Sequence, residues 1–305
     1  MRTRIVALLL TVIAALVMFP ERAEAIKNGV ADANAHPYVG ELLFYVPSDP
    51  DPRFNDPGAW FTCSGTLVSP TIVVTAGHCT SDIGHSGAVG SDTGGNDVWI
   101  SFAETPDFSI LPPSSGFAPD NNAGRYTAWA AALDASAQWH RATAYHHPAF
   151  DAAAFFEHDL GVLVLDEPVN LSQYGEVPSQ GLLDSLYAAN KRQLYTAVGY
   201  GLEGSGPRRS IGGDTRRRAD LRLVDLNGVG GIGRGTAAKF SNNAATGGTC
   251  FGDSGGPIFV AGTTTLVAVN SFALNDNCAG TTGAYRIDQE DDLAFLATFG
   301  ITPGS

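Results

Sequence analysis

The sequence predicts an all-β protein of two compact lobes that ends in one helix near its C-terminus. Short segments rich in Val, Ile, Thr, Leu and aromatic residues recur between clusters of Gly, Pro, Asn and Asp, a pattern typical of strands in a barrel or sandwich. Helical periodicity is convincing only over residues 288–299, where acidic residues fill the first turn. The predicted strands are residues 38–46, 65–68, 71–75, 98–102, 160–165, 194–200, 221–224, 257–260 and 266–271.

Composition and charge limit the classes of function. The chain has 305 residues, of which 44% are hydrophobic and 16% charged, so it can bury a core and is not typical of disordered proteins. Its formal net charge of −13 provides no general basic surface, which disfavours nucleic acid and anionic membranes as partners. Two stretches rich in Gly, Ser, Asp and Pro, 80–97 and 112–124, are predicted to be long surface loops.

The N-terminus has the three parts of a secretory signal peptide. Arg2 and Arg4 give a positive end, residues 5–19 are apolar, and an A-x-A cleavage site ends at Ala25. The apolar run is shorter than the ~20 residues that a membrane-spanning helix needs. We therefore expect residues 1–25 to be removed on export, and residues 26–305 to form the mature protein in an extracellular or periplasmic space.

Four cysteines fall as two well-separated pairs. In an exported protein they are expected to form disulfides, and pairing by neighbourhood gives Cys63–Cys79 and Cys250–Cys278. Four cysteines allow three connectivities, and the sequence alone does not choose among them. A zinc site is the alternative, but no paired Cys or Cys/His spacing supports it.

Three segments carry residues suited to nucleophilic catalysis. One apolar strand leads to His78, Asp159 stands at the start of another, and Ser254 lies in the segment Gly-Asp-Ser-Gly-Gly-Pro. A serine hydroxyl becomes a strong nucleophile when a neutral imidazole takes its proton, and a buried carboxylate orients that imidazole. His78, Asp159 and Ser254 can supply these roles. The backbone N–H groups of Gly252 and Ser254 can converge on a developing oxyanion.

These segments closely resemble the active-site motifs of chymotrypsin-like serine proteases, which share the trypsin fold. The chain order His, Asp, Ser is that of this family and differs from the orders in subtilisins and α/β-hydrolases. The resemblance extends from Ile26 to the C-terminal helix. It implies two six-stranded antiparallel β-barrels with a catalytic cleft between them, in a secreted enzyme of the microbial type. It also implies that the Cys63–Cys79 disulfide braces the histidine and that Cys250–Cys278 braces the substrate pocket.

The resemblance places Gly248 at the floor of the pocket for P1, the residue before the scissile bond. Members that cut after Lys or Arg carry an Asp at that position, and burying a cationic side chain without a carboxylate partner is costly. An apolar P1 preference, of the chymotrypsin or elastase type, is therefore expected. The candidate substrate-binding residues besides Gly248 are Ser271, Phe272, Ala273 and Gly283.

A basic P1 preference is the alternative, because Asp276 could reach the pocket. The basic stretches 207–209 and 216–218 argue against it, since we expect them to lie in an exposed loop that an Arg-specific enzyme would cut. The apolar preference is therefore the prediction, and Asp276 is the residue that would reverse it.

The mature N-terminus has a predicted partner. In the family, a freed Ile amine inserts beside the Asp that precedes the nucleophile and orders the pocket and the oxyanion hole. Ile26 resembles that N-terminus, and Asp253 resembles its partner. Because the cleavage site ends at Ala25, removal of the signal peptide would itself expose the Ile26 amine. We therefore predict export without a zymogen stage.

A secreted serine endopeptidase acting through an acyl-enzyme is the predicted function. A catalytically silent, protease-like binding protein and an esterase without peptidase activity are the alternatives. The expected partners are protein or peptide substrates, with proteinaceous inhibitors as a further possible class, and the expected state is a monomer. No cofactor is predicted, and no metal, because the chain lacks the D-x-D-x-D-G pattern of a calcium loop.

Overall fold

The computed structural model describes residues 26–85, 93–206, 209–211, 213–228, 233–243 and 245–304. The predicted signal peptide lies outside these ranges, as does part of the predicted loop 80–97. Within the described ranges, no helix is both long and apolar enough to cross a membrane.

Antiparallel strands make up most of the regular structure. In the first half of the chain they are β1 (Val30–Ala31), β2 (Val39–Val46), β3 (Ala59–Ser69), β4 (Ile72–Thr75), β5 (Thr93–Ser101), β6 (His140–His146) and β7 (Gly161–Leu165). In the second half they are β8 (Leu194–Gly199), β9 (Gly204–Gly206), β10 (Arg209–Ile211), β11 (Arg217–Asp225), β12 (Ala237–Asn242), β13 (Pro257–Val260), β14 (Leu266–Ala273) and β15 (Gly280–Arg286). The sequence pattern does not predict β6, β12 and β15, because polar residues and glycines interrupt their apolar positions.

These strands close into two barrels, which confirms the predicted fold class. In the first barrel the order is β2, β3, β4, β7, β6 and β5. In the second, β11, β12, β15, β14, β13 and β8 follow one another, and the pairing of β8 with β11 closes the ring. β1 adds to β11, and β9 pairs with β10 in a separate hairpin.

The described helices are α1 (Asn122–Asp134), α2 (Leu182–Ala189) and α3 (Glu290–Ala297). α3 is the predicted C-terminal helix, but the prediction of a single helix is wrong, as is the prediction that 112–124 is entirely loop. The apolar pattern does not predict α1, because the apolar residues of this helix are mainly alanines and single aromatic residues. Its start is capped by Asn121, whose side chain accepts a hydrogen bond from the Gly124 N–H.

β2 is buried along its whole length because both of its faces are covered. Leu42 and Phe44 pack in the core of the first barrel. Leu43, which points to the other face, packs with Trp99 and with Leu133 of α1 in a separate cluster. The insertion between β5 and β6 therefore covers the outer wall of the first barrel.

The basic stretch 216–218 is not an exposed loop, so that prediction is wrong. Arg216 is fully buried, and its Nε donates to the Asp32 carboxylate at 3.0 Å. Its Nη1 donates to the main-chain oxygens of Val39 and Phe102 in the first barrel, at 2.9 and 3.0 Å. This guanidinium joins the two barrels, so the stretch provides no argument about self-cleavage. The other basic stretch lies partly outside the described residues.

Replacing Arg125 of α1 with Met tests how the insertion is anchored. The Arg125 side chain is fully buried, and it donates to the Asp51 carboxylate at 2.6 Å and to the Gly58 carbonyl at 3.1 Å. The variant leaves the Asp51 carboxylate without this buried partner, so we expect the free energy of unfolding in urea to fall by about 3 kcal/mol. Arg192→Met, at an exposed position, should change it by less than about 0.5 kcal/mol, and equal effects of the two variants would contradict the account.

Candidate active site

His78 lies where a strand of the first barrel ends. β4 stops at Thr75, and a single 3₁₀ turn follows over Gly77–Cys79. A disulfide joins Cys79 of this turn to Cys63 in β3, which confirms the predicted pairing. Gly77 permits close packing, because a Cβ there would lie 2.8 Å from the Phe150 ring and 3.2 Å from the nitrogen that follows Asp159.

Asp159 is a fully buried carboxylate with three hydrogen-bond donors around it. The His78 main-chain N–H donates to its Oδ1 at 2.9 Å, and His78 Nδ1 lies 3.0 Å from its Oδ2. The Ser271 hydroxyl, from the second barrel, donates to the same Oδ2 at 2.5 Å. These donors replace the water that burial removes, so the carboxylate can orient the imidazole from a dry site.

The electrostatics of His78 follow from this arrangement. Burial alone would lower the pKa of the imidazole, but the charge of Asp159 and their hydrogen bond outweigh it, so the pKa lies above 6.5. With Nδ1 facing the carboxylate, the other ring nitrogen, Nε2, is the one available for proton transfer.

Ser254 lies in a tight turn that both barrels hold. Its main-chain carbonyl accepts from the Ser64 N–H of β3 at 2.7 Å, and the next residue, Gly255, donates to the Asn270 carbonyl at 2.8 Å. Gly255 has a φ of 74°, and a side chain there would collide with the Thr75 hydroxyl. The glycine therefore allows the turn to approach the end of β4, which leads to His78.

Ser254 and His78 line the same cleft between the barrels. Among the residues that the structure describes, no hydrogen bond joins the Ser254 hydroxyl to the His78 ring. Such bonds are often long before substrate binds and tighten in the complex. The structure therefore brings the three predicted catalytic side chains to one site and holds two of them in direct contact.

The amides of Gly252 and Ser254 point to an oxyanion site. Gly252 has a φ of 94°, a backbone conformation that favours glycine. Its carbonyl accepts from the Ser64 hydroxyl at 3.1 Å, which fixes the peptide before Asp253. Within the described part of the chain, neither the Gly252 N–H nor the Ser254 N–H donates to a protein acceptor. Both donors are therefore free to bind a developing charge.

A pocket of about 220 Å³ opens beside Ser254. Three of the predicted substrate-binding residues, Ser271, Phe272 and Ala273, line it. Cys250, half of the disulfide expected to brace the pocket, also lines it. Its other lining residues besides Ser254 were not predicted; they are Phe155, Thr249, Phe251, Asn270 and Thr282. Phe155 is the one with a visible signal, an aromatic pair shortly before Asp159. None of the described residues that line this pocket is charged, and the Thr249 and Thr282 hydroxyls lie 2.8 Å apart and satisfy each other.

The two predicted glycines and Asp276 lie elsewhere. Gly248 packs against the side chain of Asn242 instead of lining the pocket. Gly283 lies beneath the Phe272 ring, which fills the space that a larger residue would need. Asp276 is exposed to solvent and does not line the pocket.

Ile26 and Asp253 are close but not in direct contact in this uncleaved chain. The Ile26 side chain is fully buried in the second barrel, and its N–H donates to the Gly201 carbonyl at 3.3 Å. Asp253 is also buried and accepts from the N–H groups of Gly201 and Cys250, at 2.9 and 2.8 Å. Burial raises the pKa of Asp253 to about 7 although these two hydrogen bonds oppose the rise. Cys250 forms the predicted disulfide with Cys278.

His147, His158 and Asp291 form a cluster of potential metal ligands outside the predicted site. The two imidazole rings stack at 4.8 Å with an angle of 9° between their planes. A metal ion must lie in the plane of each imidazole that binds it, and two stacked parallel rings do not share a plane. His147 Nδ1 also accepts from the Ala149 N–H at 3.2 Å. This geometry favours a packing role for the cluster.

Replacing Asp159 with Asn tests the link between the carboxylate and His78. We expect the pKa of His78 to lie above 6.5 in the native protein and to fall by at least about 1 pH unit in the variant, because the charge that stabilises the imidazolium is lost. NMR of the imidazole protons measures this directly. His140 serves as an internal control, since burial lowers its pKa and it should not respond. An unchanged His78 titration would contradict the assigned contact.

Comparison with known proteins agrees with the geometry of the site. A family model described as trypsin matches residues 122–289, more than half of the chain. No curated protein matches the chain. Among solved structures, HL collagenase is similar with a TM-score of 0.58 and 16% sequence identity, over 92% of this chain and 99% of its own. At that identity the likeness shows a shared fold. From the family match, the chain belongs to the trypsin family of serine endopeptidases.

Proposed function

We propose that residues 26–305 form a secreted, monomeric enzyme that cuts peptide bonds with Ser254 as nucleophile, His78 as general base and Asp159 as the group that orients it. The observation that carries this proposal is the fully buried Asp159 carboxylate, which accepts hydrogen bonds from His78 and Ser271. A structural ion pair would not need to face a cleft that also contains Ser254.

The proposed reaction has two balanced halves. Ser254 Oγ attacks the scissile carbonyl carbon while His78 Nε2 takes the hydroxyl proton, and the imidazolium then gives that proton to the leaving nitrogen as the C–N bond breaks. In the second half, water attacks the acyl-enzyme ester, again through His78, and releases the acid and the free serine. Asp159 stabilises the imidazolium in both halves and stays ionised.

The N–H groups of Gly252 and Ser254 are proposed to stabilise the oxyanion that forms in each half. They are preorganised by the turn, so no reorganisation is needed when the charge develops. Each donor of this kind is typically worth about a hundredfold to a thousandfold in rate.

The pocket beside Ser254 is proposed to bind an apolar P1 side chain. None of its lining residues is charged, so a Lys or Arg side chain would lose its hydration without gaining a partner. Gly248 lies outside the lining, so the apolar preference follows from the lining as a whole and not from one floor residue. Phe272 and Ala273 pair with β15, and Ser271 lies at the register shift just before them. The pairing of β14 with β13 does not reach these residues, so among the described strands their other edge is open to bind the substrate backbone as an added strand.

The Ile26 amine is proposed to complete the site once the signal peptide is removed. Gly201 already links the two groups: its carbonyl accepts from the Ile26 N–H, and its own N–H donates to the Asp253 carboxylate. A free ammonium there would give the buried Asp253 carboxylate the counter-ion that it lacks in the uncleaved chain. Signal cleavage after Ala25 would then produce the active form in one step.

Cleavage of a mixed peptide library tests the catalytic proposal. We expect the form that begins at Ile26 to cut after apolar residues and the Ser254→Ala variant to make no cuts, as read by mass spectrometry. Cuts after Lys or Arg that disappear in the Asp276→Asn variant would instead support the alternative, a basic P1 preference through Asp276. No cuts by the native form would favour the binding-protein hypothesis, and hydrolysis of esters alone would favour the esterase.

The N-terminus is tested by comparing forms that begin at Ile26 and at Glu24. In the longer form, the Asp253 carboxyl has a pKa of about 7 against 3.8 for an ordinary Asp, so the folded state binds the extra proton. Its thermal stability should therefore fall as pH rises from about 4 to about 7, and Asp253→Asn should remove this fall. In the form that begins at Ile26, thermal stability should fall less over the same pH range, and peptidase activity should be at least about tenfold higher than in the longer form. Equal activity of the two forms would contradict the proposal.

A further inference from the structure

A second cleft of about 320 Å³ opens on the other side of Ser254. It is lined by Phe44, Val46, Ser48, Asp49, Phe61, Thr62, Cys63, His78, Ser81, Asp82 and Ser254. We call it the leaving-side pocket. Ser254 lines both the leaving-side pocket and the P1 pocket, whereas His78 lines the leaving-side pocket and not the P1 pocket.

The reaction itself determines which part of a substrate enters this pocket. The acyl half of the substrate lies in the P1 pocket, with the oxyanion at Gly252 and Ser254. His78 must reach the leaving nitrogen to protonate it, so the leaving half lies on the His78 side of Ser254. The first residues after the scissile bond therefore meet the leaving-side pocket. This step rests on the proposed function.

Part of the lining of the leaving-side pocket is apolar. The Phe44 and Phe61 rings lie 5.9 Å apart at an angle of 33°, next to Val46 and Cys63. Phe61 remains 40% exposed, although a side chain of that size usually buries more of its surface. Its open face can therefore cover several methylene groups of a bound side chain.

The same pocket also has two acidic residues in its lining. Asp49 and Asp82 both line it, and among the described residues neither carboxylate forms a hydrogen bond or an ion pair with another side chain. Apart from His78, none of the described residues that line the pocket is basic. A ligand for this site combines an apolar stem, which packs on the phenyl rings, with a cationic end that lies near two carboxylates.

We propose that the enzyme selects substrates with Lys or Arg among the first two residues after the scissile bond, through Phe44 and Phe61 for the stem and Asp49 and Asp82 for the charge. The negative net charge of the chain also favours the approach of basic substrates. The predicted products are peptides with a basic residue at or next to their new N-terminus. An apolar residue before the bond and a basic one after it then define the cleavage site.

Acyl transfer measures this preference without confusing it with P1 specificity. The amine of an added peptide amide attacks the acyl-enzyme carbonyl, so that a C–N bond forms, the C–Oγ bond breaks and His78 moves the amine proton to Ser254. By microscopic reversibility the added amine occupies the leaving-side pocket. One ester donor is used with acceptors of the forms Xaa-Ala-NH₂ and Ala-Xaa-NH₂, in which Xaa is Lys, Arg, norleucine, Leu or Glu.

Norleucine is the key comparison, because it has a stem close to that of Lys without the charge. In at least one of the two series, we expect Lys and Arg acceptors to be used about tenfold better than norleucine, and norleucine better than Glu. Each of Asp49→Asn and Asp82→Asn should reduce the Lys preference about threefold, as for partly exposed ion pairs. Asn is well tolerated at the φ of 57° of Asp82. Added salt should weaken the preference of the native enzyme.

Two controls separate the possible failures. Asp120→Asn makes the same charge change at an exposed position outside the pocket and should leave acceptor use unchanged. Hydrolysis of the ester donor, measured in the same samples, reports whether the acyl-enzyme forms. No hydrolysis would overturn the proposed function. Two results would overturn only the inference about the leaving side. One is normal ester hydrolysis with equal use of the Lys and norleucine acceptors in both series. The other is normal ester hydrolysis with a Lys preference that is unchanged in both Asp49→Asn and Asp82→Asn.

Discussion

The active site depends on the hydrogen bonding of one buried carboxylate. An ionised Asp159 without donors would be strongly unfavourable at zero exposure, since desolvation of a charge costs several kcal/mol in proteins. Its donors come from both barrels, His78 from the first and Ser271 from the second. The site therefore forms only when the barrels pack together, and the buried Arg216, which joins Asp32 to carbonyls of the first barrel, supports the same packing.

A second buried carboxylate governs the other half of the site. Asp253 lies next to Ser254, the proposed nucleophile, and the N–H groups of Gly201 and Cys250 bind it in the uncleaved chain. These donors only partly offset burial, which is why the pKa of Asp253 rises to about 7. A free Ile26 ammonium would supply the positive charge that offsets the remaining cost of burying the ionised Asp253 carboxylate. The turn that carries Ser254 and the oxyanion amides would then be stabilised by the event that matures the protein.

The candidate catalytic residues stand in local sequence motifs, whereas the features that the sequence did not reveal depend on contacts between distant residues. His78, Asp159, Ser254 and both disulfides are visible as motifs or neighbours along the chain. The rest of the pocket lining is not, because residues such as Thr249 and Thr282 are 33 positions apart in sequence and meet only in the folded second barrel. Arg216 resembled a loop residue because its partners lie far away in sequence. α1 was missed because it buries only Ala130 and Leu133 in its cluster with Leu43 of β2, which is too few apolar positions for an aliphatic stripe.

The most direct test of the central claim is the site of covalent labelling by a fluorophosphonate, which reacts with a serine that is activated by a neighbouring base. We expect the mature protein to gain one adduct, located on Ser254 by peptide mapping, and His78→Ala to react far more slowly. Labelling of another residue, or equal labelling of the His78→Ala variant, would contradict the account that His78 and Asp159 activate Ser254.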